Sequence, residues 1–219
     1  MTHSLHRQGL SEELHRDFVV LSMAAQGFNN VGSADKLKEI FKIIVKYEPI
    51  NYGEVFSGPI FRSSDQEMLK NTKDNSYIHF VFDDRSKISS FLKELKEADI
   101  GLSVVVSGVV EEVRKACEEA GLRMHTVNFS GGIMGNTARL PEAPILEVTT
   151  MCGHGLISAN LVRQMVKDLK RGRGSLEEFA IDLAKQCQCG IFNNKRAEKI
   201  LARLADMELK TDNNKEEAV

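Results

Sequence analysis

Residues Tyr77 to Val106 read YIHFVFDDRSKISSFLKELKEADIGLSVVV, and the periodicity changes twice within them. Tyr77 to Phe82 is a short apolar run rich in aromatic and β-branched residues, the pattern of a buried strand. Asp83 and Asp84 supply a helix cap. Ile88, Phe91, Leu92 and Leu95 then recur at helical spacing until Asp99 and Gly101 end the helix. Leu102 to Val106 is again a strand. This is a β-α-β unit.

A second such unit lies upstream. Phe18 to Ala24 (FVVLSMA) is a buried strand, followed by a turn from Gln26 to Gly32. Ser33 then caps a helix carrying Leu37, Ile40, Phe41, Ile44 and Val45. Asn51 to Phe56 is a short strand, and Ser57 to Asn75 reads as a long polar connection. Two β-α-β units over residues 18–107 define an α/β (α+β) fold with a ferredoxin-like split β-α-β N-terminal region. That architecture serves small-ligand regulatory domains and dimerising modules alike, so it allows a homodimer and fixes no activity.

Downstream, Val109 to Ala120 is a helix closed by Gly121, with Cys117 a small hydrophobe on its apolar face. Met124 to Phe129 and Ile145 to Thr149 read as strands. The remainder is helical. Leu156 to Lys170 forms one helix. Ser175 and Glu178 form a capping box for a second, which runs to Cys187. Asn193 caps the last. The chain thus divides into a polar arm (1–17), an α/β region with an extra α-β (18–150), a helical cysteine-bearing region (151–205) and a charged, disordered tail (206–219).

Composition narrows the function classes. The 219 residues carry a formal net charge of −2, which gives no reason to expect nucleic acid or an acidic membrane as partner. No apolar run is long enough to cross a bilayer. Met1 to Asp17 lacks the apolar segment of a secretory leader, which leads us to expect a cytoplasmic protein. In that compartment, clustered cysteines are more often metal-binding or catalytic than disulfide-bonded.

Three of the four cysteines fall in two short motifs, Met151-Cys152-Gly153-His154-Gly155 and Cys187-Gln188-Cys189-Gly190. Each is expected just ahead of a helix start, where free N–H groups and the helix dipole stabilise thiolate. The helical hairpin between them folds back, so the motifs can meet at one end. Cys152, Cys187 and Cys189 are then candidate ligands of one metal centre, with His154 as fourth ligand or supporting donor. An iron–sulfur (4Fe–4S) cluster with an open iron ranks slightly ahead of zinc, and a small carboxylate is a candidate substrate. The plainer alternative is three thiols near helix ends with no metal. Lys195 and Arg196 stand in the first turn of the last helix, where the dipole disfavours cations; they are candidate anion-binding residues.

The Met-Cys-Gly-His-Gly stretch also resembles the first catalytic-cysteine motif of proline racemase and hydroxyproline epimerase enzymes. The resemblance covers five residues and implies a metal-free enzyme in which Cys152 moves a proton at a carbon beside a carboxylate, with His154 and Gly155 lining the site. That family's second cysteine motif, Cys-Gly-Thr-Gly, has no counterpart here, because Cys189-Gly190 is followed by Ile191-Phe192. The remaining alternative is a non-enzymatic ligand-binding or dimerising regulatory module whose thiols serve packing.

Overall fold

The computed structural model describes residues 4–206. A one-turn helix, α1 (Ser11–Leu14), precedes the α/β region. That region runs β1 (Phe18–Met23), α2 (Ser33–Val45), β2 (Asn51–Glu54), β3 (Gly58–Pro59), α3 (Asp65–Asn71), β4 (Tyr77–Phe82), α4 (Arg85–Ala98), β5 (Ser103–Ser107) and α5 (Val110–Glu119). The strands form one antiparallel sheet in the order β3-β2-β4-β1-β5. The register sets Val20 opposite Phe80, Leu21 opposite Val105, and Tyr52 opposite Phe80. Without β3, this is the strand order of a ferredoxin-like sheet, produced by the two β-α-β units read from the sequence.

Strand alternation gives the sheet two apolar faces. Phe18 and Val20 of β1 and Ile78, Phe80 and Phe82 of β4 point one way, into Leu37, Ile40 and Ile44 of α2 and Ile88, Phe91 and Leu92 of α4. Val19 and Val81 point the other way. They meet a helical region made of α6 (Ala143–Thr149), α7 (Ala159–Lys170), α8 (Leu176–Gln186) and α9 (Asn194–Ala205). Burial of each large side chain in these layers contributes about 1.5–3 kcal/mol, which the exposed outer faces of the helices do not match. The C-terminal helices therefore cover the second face of the sheet and hold the cysteine motifs against it.

The helix ends follow the sequence closely. Asp84 accepts from the Ser86 N–H, Asn193 from the Arg196 N–H, and Ser175 and Glu178 form the capping box. At α2 the cap shifts by one residue: Gly32 is the N-cap, and the Asp74 carboxylate accepts the N–H groups of Gly32 and Ala34.

Three expectations are corrected. Met124 to Phe129 forms no strand; Val127 and Phe129 are exposed, and no described strand pairs with them. Alternation alone cannot make a strand without a ladder partner. Ile145 to Thr149 lies in a helix, not a strand. Pro144 occupies the first turn of α6, where its missing N–H costs nothing, and Ile145 and Val148 share its buried face. The long connection from Ser57 to Asn75 contains β3 and α3, the latter opened by a capping box of Ser64 and Glu67. The expected charged tail beyond Asp206 lies outside the described residues. Among the described residues no helix is long and apolar enough to cross a membrane.

Candidate metal centre

Cys152 follows α6 in a turn in which the Gly155 N–H donates to the Cys152 carbonyl (3.1 Å). Cys187 is the C-cap of α8, and the Gly190 N–H donates to its carbonyl (3.0 Å), curling residues 187–190 into a turn. Neither motif stands directly before a helix as expected: α7 begins at Ala159 and α9 at Asn194.

The 187–190 turn is seated on β2, backbone to backbone. Gly190 adopts φ +72°, and a Cβ there would lie 2.5 Å from the Gly53 nitrogen and the Tyr52 carbonyl carbon. Only glycine satisfies both conditions. The Gln188 side chain donates to the Val55 carbonyl (3.2 Å) and accepts from Arg62 (3.0 Å). Asn51 donates to the Phe192 carbonyl (2.8 Å).

These contacts bring the two motifs together. The Cys187 and Cys189 sulfurs are 4.0 Å apart, and the Cys189 sulfur is 3.7 Å from Nδ1 of His154. Cys152 is near enough to Cys187 for each to shift the other's protonation. All three cysteines are buried, whereas His154 is exposed and closes the group from the solvent side. The four donors form a chain of neighbours, Cys152–Cys187–Cys189–His154. Among the described residues, no group of three or more His, Cys, Asp or Glu side chains is placed so that it could hold a metal ion as it stands.

The chain orders its protons. Interaction with Cys187, together with burial, pushes the Cys152 thiol far up. Cys187 is lowered by its interaction with Cys152, but its bond to Cys189 and its burial outweigh this and push it up to about 12. Cys189 is lowered by the hydrogen bond from Cys187, against the opposing effect of burial, with help from the Ile191 N–H. Of the three thiols, Cys189, next to His154, is the one whose pKa is lowered. In the racemase-like alternative Cys152 is the activated thiol; here its motif does not stand at a helix N-terminus, and its sulfur neighbour and burial push the thiol up.

The N-terminal segment, read from the sequence as a polar arm, holds a positioning residue that its sequence does not reveal. Arg7 is buried and donates to the carbonyls of Met151 (3.2 Å) and Ile191, so one guanidinium ties both cysteine-bearing loops. Its charge is balanced by Asp17, which also pairs with Arg196 (2.9 Å) and accepts from Asn193 (2.9 Å). Burial pushes the Asp17 carboxyl up, but the charges of Arg7 and Arg196 outweigh it and hold the group below its ordinary range. Arg196 is almost fully buried and also pairs with Glu13, so carboxylates of the chain itself supply its anions. Lys195 is more exposed and pairs with Glu198 (3.2 Å).

No protein-family model, curated protein or solved structure matches this chain.

Proposed function

We propose that the protein is a small metalloprotein that holds one zinc-class ion on Cys152, Cys187, Cys189 and His154. The observation that carries this reading is the spacing of the donors. Tetrahedral zinc, with Zn–S about 2.3 Å and Zn–N about 2.0–2.1 Å, sets two sulfurs about 3.8 Å apart and a sulfur and a nitrogen about 3.6 Å apart. The separations here are 4.0 Å for Cys187–Cys189 and 3.7 Å for Cys189–His154. Capture of the ion closes the chain of donors into a shell.

The same spacing favours a single ion over an iron–sulfur cluster. In a cluster each thiolate binds its own iron, which spreads the sulfurs wider than one tetrahedral edge. Three cysteines and a histidine leave no open position, the mark of a structural site. The ion would lock the 151–155 turn to the 187–190 turn and so fix the helical layer on the sheet. A metal-free racemase reading draws less support, because Cys152 is the thiol least able to give up its proton.

Titration of the reduced protein with Co(II) tests the proposal. Intense visible bands of tetrahedral cobalt with thiolate charge-transfer absorption, lost in Cys187→Ser, are expected. Weak octahedral absorption, unchanged in that variant, contradicts it.

A further inference from the structure

Cys187 and Cys189 are two residues apart within one turn, and their sulfurs are 4.0 Å apart. No backbone rearrangement of separate elements is needed to bring them to bonding distance. Both thiols are buried, but their surroundings differ. Cys187 is fully buried, whereas Cys189 adjoins exposed His154, and the turn from Gly153 to Leu156 above it is exposed throughout. Of the pair, Cys189 is the thiol that adjoins an exposed residue. A thiol with a second thiol 4.0 Å away, placed to resolve its sulfenic acid, is the arrangement of a redox-active pair.

We propose that Cys187 and Cys189 are a peroxide-oxidisable dithiol, and that closing their disulfide expels the metal ion. The disulfide rests on the geometry of the pair alone; the expulsion rests on the metal reading above. In the first step the Cys189 thiolate attacks one oxygen of a hydroperoxide. The O–O bond breaks, hydroxide (or alkoxide) leaves, and Cys189 becomes a sulfenic acid. In the second step the Cys187 sulfur attacks the Cys189 sulfur. The S–O bond breaks, and the departing hydroxide leaves as water with the Cys187 proton. Two thiols are oxidised to one disulfide, and one peroxide is reduced. The disulfide removes two of the four donors, and the two that remain do not retain the ion.

The test treats the reduced full-length protein, with and without prior zinc loading, with hydrogen peroxide. Intact mass, peptide mapping and a chromogenic zinc chelator follow the reaction. The expected result is loss of two hydrogens, mapped to the peptide containing both Cys187 and Cys189. In Cys187→Ser a dimedone adduct accumulates on Cys189 instead, and in Cys189→Ser the rapid phase disappears. Zinc appears in step with the disulfide. A Cys152–Cys187 disulfide, a dimedone adduct on Cys152, or thiols unchanged at an excess of peroxide overturns the dithiol. If the disulfide forms in a protein that never took up zinc, the metal reading and the expulsion fall while the dithiol stands.

Discussion

The Cys189 sulfur lies 3.7 Å from Nδ1 of His154, a residue 35 positions earlier in the chain. One partner is buried and the other exposed, so the histidine covers a sulfur group that the fold otherwise encloses. Replacing His154 with alanine therefore affects the ion more than the fold. In His154→Ala, zinc affinity falls at least about tenfold, while stability of the metal-free protein changes by no more than about 0.5 kcal/mol. Chelator competition and urea denaturation measure the two effects separately.

Gly190 and Gly155 both have positive φ, but only Gly190 is pressed against another backbone. A Cβ on Gly155 meets nothing within 4 Å. Gly155→Ala is expected to cost about 1 kcal/mol, the backbone penalty alone. Gly190→Ala is expected to cost at least about 3 kcal/mol, since β2 or the cysteine turn must move. Equal costs in urea denaturation would mean that the turn does not rest on β2 as described.

Asp17 is a buried carboxylate between two buried guanidiniums. Asp17→Asn leaves both cations without full compensation and is expected to destabilise the fold by about 3–5 kcal/mol at neutral pH. The two Cys-bearing loops should loosen together, because Arg7 holds both. Faster amide exchange at both Cys152 and Cys189 is the measurement.

The same carboxylate sets an acid limit. Its folded pKa lies below the ordinary value, so its stabilisation is fully present above the unfolded value of about 3.9 and is lost as pH falls through the folded one. Wild-type stability should fall with decreasing pH below about 4, and Asp17→Asn should show a shallower slope there. Parallel slopes in pH-dependent urea denaturation would remove Asp17 as a contributor.

Much of this architecture is legible in local sequence. The aromatic and β-branched run of YIHFVF, the Asp84 cap and the helical spacing of Ile88, Phe91 and Leu92 each report a constraint within one element. Two such units imply the sheet order. Elements whose identity depends on distant partners are less legible. Met124 to Phe129 alternates as a strand would, yet no described strand pairs with it. Ile145 to Thr149 is rich in β-branched residues, yet Pro144 and the facing helical layer make it α6. The cysteines could be singled out because their residue type limits their chemistry; the hairpin expected between the motifs is not what joins them, because α7 and α8 each pack on α9 rather than on one another. Arg7 could not, because a single arginine in a polar arm reads as solvated surface. Its role exists only where Asp17, Met151 and Ile191 meet, and no local pattern encodes that meeting.

The most direct test of the central claim is metal and sulfide analysis of protein purified under anaerobic, reducing conditions, set beside Cys187→Ser. The account predicts a colourless protein with one zinc-class ion per chain, no acid-labile sulfide, and loss of the ion in the variant. A brown protein with matched iron and sulfide, or a folded wild-type protein that takes up no zinc when it is supplied, would contradict it.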